Sequence, residues 1–263
     1  MTENWYPPEN HPLSPEQSRR LLQGELGDVY RSILAGCCAP IYWHRRATGF
    51  ADVCGNGTLT FVKTTERLIG VTAAHVLVGY QEAKAVCDVA LRVFDSELVG
   101  GCDVIDINRD LDIATISLDA AFVQQIGKEV SPLEGWPPLA PEEGRGIMLA
   151  GYPGLDRRIM SPREIDWGLF TALGISRVVT SHQITWRVER EYGIPHPKIP
   201  DLPPNRVLGG ISGGPLIAWF ETPSHVIYPR LAGIISEAQE SLENVVARRA
   251  DFILSDGRIV SVK

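Results

Sequence analysis

One serine of the chain stands among glycines, in the stretch Gly209–Leu216 with the sequence GGISGGPL. A serine hydroxyl can attack a carbonyl carbon when backbone N–H groups about 3 Å away stabilise the oxyanion that develops. Glycines leave that approach open because they carry no side chains. The same letters also fit an ordinary Gly-rich hairpin turn. Taken alone, the motif therefore leaves acyl transfer and simple turn formation both open.

A serine hydroxyl needs a base at neutral pH, and a histidine ends the β-branched stretch Val71–His75, with the sequence VTAAH. Imidazole suits that task because its pKa lies near neutrality. We expect His75 to stand where a strand ends. Lone histidines are usually structural or surface residues. His75 is therefore a candidate base only in combination with the other motifs of the chain.

A histidine base needs a carboxylate that fixes its tautomer and stabilises the imidazolium. The segment 110–116, with the sequence DLDIATI, places Asp110 and Asp112 just before an apolar run typical of a strand. Two residues apart, the acids would share one strand face, so spacing does not choose between them. An ordinary solvated turn is the plain alternative for both.

Together these motifs resemble those of the trypsin- and chymotrypsin-like serine peptidases: TAAH at His75, DIA at Asp112 and GxSGGP at Ser212, in the family's order. The separations of 37 and 100 residues would allow the histidine and the acid to lie in one β-barrel and the serine in the next. The resemblance implies Ser212 as nucleophile and His75 as base. It favours Asp112 over Asp110, because the family's acid directly precedes the apolar-Ala pair. It also implies the backbone N–H groups of Gly210 and Ser212 as oxyanion donors.

Two later segments extend the resemblance, which covers roughly residues 55 to 250. Residues 231–236, with the sequence LAGIIS, resemble the family's strand that pairs with substrate, and this makes Ser236 a substrate-binding candidate. Residues 245–248, with the sequence VVAR, resemble a strand beside the specificity pocket.

The resemblance also suggests Arg206 as the residue at the base of the specificity pocket, six positions before Ser212. A fixed guanidinium there would hold an acidic substrate side chain bidentately and repel Lys or Arg. The alternative is an internal ion pair with Glu237 or Glu243, or a side chain turned to solvent by the Pro-rich loop before it.

Some positions depart from the secreted members of the family. Ile211 stands where those members carry an acid that pairs with a newly cut N-terminus, and the chain starts far upstream. Val76 replaces the cysteine that often follows the histidine. The chain ends without room for the peptide-binding domain of bacterial high-temperature-requirement proteases. These departures indicate a compact intracellular branch of bacterial type.

Several elements must position these residues. Ser14-Pro15-Glu16-Gln17 predicts a helix start by its capping box and N1 proline, and apolar residues at helical spacing continue to Ile33. We expect this helix to pack on the main body rather than act as a partner-binding arm. From about residue 40 short β-like runs follow one another, separated by turn residues, and a Pro-rich stretch interrupts them. The predicted division is an extension over 1–38, a first β-barrel over 39–130, a linker over 131–146 and a second β-barrel over 147–263.

Composition narrows the classes of function. The 263 residues are 44% hydrophobic and 22% charged, which is ordinary for a folded protein and excludes wholesale disorder. The formal net charge of -7 argues against nucleic acid as a partner, because phosphate binding needs a concentrated positive face. No apolar run reaches the roughly 18 residues of a membrane span, and no signal-type segment opens the chain. We therefore expect a cytoplasmic protein that does not bind membranes.

The chain has five cysteines, an odd number, and no secretion signal, so free thiols are expected rather than a disulfide framework. No C-x-x-C spacing occurs, which argues against a metal site. No cofactor is needed for the chemistry that the motifs suggest.

The sequence therefore predicts an all-β, trypsin-like protein of two antiparallel β-barrels with an N-terminal helical extension. The predicted function is a serine endopeptidase acting on protein or peptide substrates through an acyl-enzyme. The alternative is a catalytically silent or occluded binding or scaffold module on the same fold, since fold does not guarantee activity. An esterase or acyltransferase on an α/β sheet is disfavoured by the β-rich pattern. A regulatory partner is left open.

Overall fold

The N-terminal extension is helical, as the capping box predicts. A computed structural model describes residues 14–48, 52–98, 103–128, 136–161, 164–187, 207–239 and 244–260. Helix α1 (Pro15–Gln23) begins after Ser14, whose Oγ accepts from the backbone N–H of Gln17 while the Gln17 side chain accepts from the N–H of Ser14. Gly24 ends it in an extended conformation, and α2 (Glu25–Cys37) follows at once. The predicted helix is thus two helices, because Gly24 interrupts the run.

The first β unit is a seven-stranded antiparallel sheet with the order β5-β4-β1-β2-β3-β7-β6. Its strands are β1 (Cys38–Arg45), β2 (Val53–Lys63), β3 (Leu68–Thr72), β4 (Val89–Val93), β5 (Ser96–Glu97), β6 (Val104–Asn108) and β7 (Ile113–Ser117). Two helices complete it, α3 (Ala74–Val86) after β3 and α4 (Ala120–Gln125) after β7.

The second β unit is again a seven-stranded antiparallel sheet, with the order β11-β8-β14-β15-β16-β13-β12. The described residues of this part of the chain form nine strands, seven in the sheet and two outside it: β8 (Gly146–Gly151), β9 (Arg157–Ser161), β10 (Glu164–Trp167), β11 (Phe170–Ile175), β12 (Val178–Val179), β13 (Gln183–Arg187), β14 (Pro215–Glu221), β15 (Ile227–Gln239) and β16 (Asn244–Arg249). Strands β9 and β10 form a separate hairpin. The expected all-β class, with two antiparallel units after a helical extension, is confirmed.

Each sheet has its own core, and the alternation of side chains along the strands gives each sheet a second apolar face. On β1, Ile41 belongs to the core of the first unit, whereas Tyr42 packs with Met148 and Ile217 of the second. A further cluster joins Val71 of β3 to Ile234 of β15. Both sheets are therefore in apolar contact with each other, which places the end of β3 beside the loop before β14.

Apolar side chains of the last described residues pack with side chains of both sheets. After a short 3-10 turn at Ala250–Phe252, Thr64 Oγ1 donates to the carbonyl of Ser255 at 2.6 Å. Thr115 Oγ1 donates to the carbonyl of Gly257, also at 2.6 Å. The C-terminal segment thus contacts both sheets.

Four of the five cysteines lie within the described residues, and all four are free: Cys37, Cys38, Cys54 and Cys87. Cys102 lies outside them. None of the helices in the described part of the chain combines the length and the apolar character that crossing a bilayer would require.

Candidate active site

His75 and Asp112 are brought together by two neighbouring strands of the first sheet. Strands β3 and β7 pair antiparallel with Thr72 opposite Ala114, so the end of β3 and the start of β7 lie at the same edge. His75 follows β3 and is the second residue of α3, and Asp112 directly precedes β7. The predicted position of the histidine at a strand's exit is correct, and the chain turns there into a helix.

The Asp112 carboxylate holds both the backbone and the ring of His75. Asp112 Oδ1 accepts from the backbone N–H of His75 at 2.9 Å, and Oδ2 lies 2.9 Å from His75 Nδ1. The first contact caps a helix N-terminus, where N–H groups have no partner within the helix and negative charge is favoured. Because the ring's Nδ1 faces the carboxylate, the neutral imidazole carries its proton there and keeps Nε2 as a base.

The same contact shifts the acid–base behaviour of the histidine. Hydrogen bonding to Asp112 raises the pKa of His75 above its ordinary value near 6.5; partial burial opposes this shift and the negative charge of Asp112 adds to it. The surroundings of His75 therefore favour the imidazolium. A general base needs this, because it carries a proton during the reaction.

A strained turn aims the Asp112 carboxylate. Asp112 has a φ of 51°, in the left-handed region that few residues other than glycine adopt and that Asp tolerates. Its N–H donates to the carbonyl of Arg109, and the N–H of Leu111 donates to Asn108 Oδ1 at 2.9 Å. Asp110, in the same turn, is exposed to solvent. Of the two acids that spacing left open, only Asp112 contacts His75.

The loop around Ser212 depends on two glycines with left-handed backbone. Gly210 has a φ of 105° and Gly213 a φ of 91°. A Cβ on Gly213 would lie 2.0 Å from the carbonyl oxygen of Thr58 and 2.3 Å from Thr72 Oγ1. Conformation and close approach both require glycine at this position, so the Gly-rich motif follows from the contact between the Ser212 loop and the first sheet.

Two threonines of the first sheet hold this loop by hydrogen bonds. Thr58 Oγ1 donates to the carbonyl of Gly210 at 2.9 Å and accepts from the backbone N–H of Tyr152 at 2.9 Å. The Thr58 N–H donates to the carbonyl of Ser212 at 2.8 Å, and Thr60 Oγ1 donates to that of Gly213 at 2.8 Å. Both threonines are fully buried. We call Thr58 and Thr60 with these bonds the threonine clamp.

The peptide groups that were predicted to bind an oxyanion have a defined orientation. The N–H of Gly154 donates to the carbonyl of Gly209 at 2.8 Å. In a trans peptide the N–H points opposite to the carbonyl. The N–H of Gly210, which shares a peptide group with the Gly209 carbonyl, is therefore directed away from Gly154. Within the described residues, the N–H groups of Gly210 and Ser212 donate to no backbone carbonyl outside regular elements. No backbone carbonyl of the described residues therefore occupies either donor.

A cleft of about 390 Å³ brings the candidates together. Its walls are formed by residues of both sheets: His75, Asp112, Leu208, Gly209, Ser212, Ser236, Glu237, Ala238 and Arg248. Ser212 Oγ donates to the carbonyl of Ser236 at 3.1 Å. Strand β15 bulges between Ile235 and Glu237, at the position of Ser236, and such bulges often occur beside active sites because they re-aim side chains.

The cleft contains residues that sequence reasoning missed. Arg248 belongs to a segment that the sequence linked to a specificity pocket, but its own side chain was not singled out. The threonine clamp left a weak signal, polar residues at alternate positions of an apolar strand. The predicted pocket residue Arg206 lies outside the described residues, as does its suggested partner Glu243; Glu237, the other suggested partner, lines the cleft.

No family model matches this chain, and no curated protein matches it. The chain is similar to a Glu endopeptidase in complex with MPD, with 14% identity, a TM-score of 0.44, and coverage of 83% of this chain and 87% of that chain. It is also similar to a thermostable serine protease from an extremophilic microorganism, with 13% identity, a TM-score of 0.46, and coverage of 83% and 92%. At these values the case for a function rests on the residues of the site.

Proposed function

We propose that this protein is a serine endopeptidase of the trypsin-like type, which hydrolyses peptide bonds through an acyl-enzyme. Ser212 Oγ bonds to the carbonyl carbon of the substrate while His75 Nε2 takes the hydroxyl proton. His75 then gives that proton to the leaving amine, and water attacks the acyl-enzyme with His75 again as base. Asp112 orients His75, and the N–H groups of Gly210 and Ser212 bind the oxyanion.

One observation carries this proposal: Asp112 holds the backbone and Nδ1 of His75 in a cleft that also contains Ser212. An ordinary surface ion pair needs no hydrogen bond from the backbone N–H of the histidine to the carboxylate. The exposed pair His225–Glu221 has only the contact between the two side chains. The doubly held histidine supports a base with one tautomer and a fixed ring position.

The hydroxyl of Ser212 must turn from the carbonyl of Ser236 towards His75 before it can react. Beyond Ile234, β15 no longer pairs with β14 and keeps only β16 as a neighbour. A substrate that adds a strand on this free side offers its own N–H groups to the Ser236 carbonyl. Such an N–H competes for the Ser236 carbonyl and releases the Ser212 hydroxyl. Substrate binding and activation of the nucleophile are therefore coupled in this proposal.

The same hydrogen bond favours a second candidate function, a silent module that binds peptides without cleaving them. In that case the Ser212 hydroxyl stays on Ser236 when a ligand is bound. The two functions differ in one property, the nucleophilicity of Ser212.

A fluorophosphonate probe tests this property directly, because it reacts with an activated serine whatever the substrate preference. We expect one label per chain, located at Ser212 by peptide mass spectrometry. Ser212→Ala should remove the label and peptide cleavage while leaving the melting temperature nearly unchanged. His75→Ala should lose a comparable factor, about 10⁴ or more, since members of such a triad act as a unit.

Ser224→Ala is the matched control, because Ser224 lies in an exposed turn and bonds to Thr222. It should label and cleave like the parent protein. A Ser212→Ala protein that kept normal cleavage would overturn the assignment, and a parent protein that neither labels nor cleaves would support the silent module.

A further inference from the structure

Arg248 is a cation in the cleft that the proposed chemistry does not use. It lies on β16 and lines the same cleft as Ser212. Arg248 as a whole is partly buried, and its Nε atom is completely buried. A charged group withdrawn from water in this way is costly unless it gains a partner.

The hydrogen bonds of Arg248 leave its charge uncompensated. Nη1 donates to Gln183 Oε1 at 3.2 Å, across the pairing of β13 with β16. This amide orients the guanidinium but carries no charge. Nε has no hydrogen-bond partner, and among the residues that the structure describes no carboxylate lies within 4.0 Å of this guanidinium.

The next residue shows what a compensated arginine looks like in this strand. Arg249 binds Asp251 through both Nε and Nη2, and its Nη1 donates to the carbonyl of Thr180 at 3.2 Å. All three nitrogens of Arg249 are thus used inside the protein. Arg248, which lines the cleft, has no such set of partners among the described residues, since Gln183 alone accepts from its side chain.

Besides Asp112, one further acid lines the cleft. Glu237 also lines the cleft, but it is exposed, and it makes no ion pair with Arg248. An exposed carboxylate is screened by water and salt, whereas a partly buried guanidinium is screened much less. The charge of Arg248 is therefore the less screened of the two.

We propose that Arg248 selects substrates with an acidic side chain, Asp or Glu, on the residue whose carbonyl is attacked. This inference rests on the proposed function, because it places the substrate carbonyl at Ser212. The side chain of that residue is the one nearest to the nucleophile, and it enters the cleft that Arg248 lines. A guanidinium takes a carboxylate bidentately through its planar fork, and Gln183 fixes the orientation of that fork.

The test compares amidated fluorogenic peptides that differ only in the residue before the cleaved bond: Glu, Asp, Gln or Lys. We expect kcat/KM for Glu to exceed that for Gln by about 10- to 100-fold, the range of one charge-assisted hydrogen-bonded pair. R248Q should remove this preference by lowering the value for Glu alone, and R248E should favour Lys. R248K should keep a weaker preference for acids, because a point charge lacks the fork.

The matched control is R145Q, which removes one positive charge at an exposed site paired with Glu142. It should leave the peptide preference unchanged. Equal cleavage of the Glu and Gln peptides by a protein that the fluorophosphonate probe labels would overturn the role of Arg248 and leave the proposed function intact.

A binding measurement covers the case in which no peptide is cleaved and no label appears. Fluorescence anisotropy of an amidated Glu-containing peptide with the Ser212→Ala protein should give a Kd at least about tenfold lower than with the combined S212A and R248Q changes. If both proteins bound the Glu and Gln peptides alike, the anion site would be wrong whatever the activity.

Discussion

The two halves of the candidate site are built in different ways. The acid–base half, His75 with Asp112, lies in the first sheet and depends on the pairing of β3 with β7. The nucleophile half, the loop with Gly210, Ser212 and Gly213, precedes β14 of the second sheet. Its carbonyl groups are held by the threonine clamp of the first sheet.

This difference separates two kinds of requirement. The acid–base half needs only one strand pairing and one turn, so a local change there should alter chemistry and leave the fold intact. The nucleophile half needs the two sheets to dock correctly, so a change in the clamp should alter both catalysis and stability. Substitutions in each half can test that distinction.

The largest effect is expected for Asp112→Asn in the acid–base half. An amide at this position can donate to Nδ1 of His75, which favours the tautomer that lacks a basic Nε2. By analogy with other triads, turnover should fall by about 10⁴-fold, with little change in melting temperature. The measurement is kcat with the best peptide substrate, together with a thermal melt.

Asp110→Asn is the control for this prediction, because Asp110 lies in the same turn and is exposed. Its effect on turnover should stay within about twofold, as for most surface substitutions. The opposite ranking of the two variants would show that Asp110, two residues away in the chain, orients the histidine.

A smaller, mixed effect is expected for Thr58→Val in the nucleophile half. Valine keeps the shape of threonine but leaves the Gly210 carbonyl and the Tyr152 N–H without their partner. We expect a loss of about 1–3 kcal/mol of stability from these unpaired groups. A fall in kcat of about 10- to 100-fold should accompany it, because the oxyanion donors lose their fixed position.

Two variants show whether Thr58 acts through the loop. Thr115→Val breaks a similar buried bond, from Thr115 Oγ1 to the carbonyl of Gly257, away from the cleft. It should lower stability by less than Thr58→Val does, because one hydrogen bond is lost rather than two, and it should leave kcat unchanged. Thr58→Ser should restore kcat because it keeps the hydroxyl. Equal kcat values in T58V and T115V would show that the threonine clamp stabilises the fold without acting on catalysis.

The smallest expected effect is a shift in pH dependence. Since Asp112 raises the pKa of His75 above about 6.5, the neutral base forms only at higher pH, and the acid limb of kcat/KM should have a midpoint above this value. Residual activity of Asp112→Asn should show a midpoint at lower pH. By linkage, the pair's contribution to folding stability is fully present below about pH 6.5 and is lost as pH rises through the raised pKa. A pH–rate profile with an unshifted acid limb in the variant would contradict this assignment.

Much of the acid–base half could be predicted from the sequence. The capping box at Ser14, the end of a strand before His75 and the apolar strand after Asp112 are local patterns, and the structure has all three. The choice of Asp112 over Asp110 came from a resemblance, since spacing alone left it open; the turn with a positive φ at Asp112 gives its physical reason.

The sequence by itself determined the all-β class, the helical extension and the order of the three motifs, because strand alternation, capping residues and glycine-rich turns are properties of neighbouring residues. The tertiary structure alone decided the threonine clamp and the cleft position of Arg248. Thr58 and Gly210 are 152 positions apart, and Arg248 meets Gln183 across 65 positions. Contacts of this kind depend on how two sheets dock and in which register two strands pair, and no local pattern of residues specifies either one.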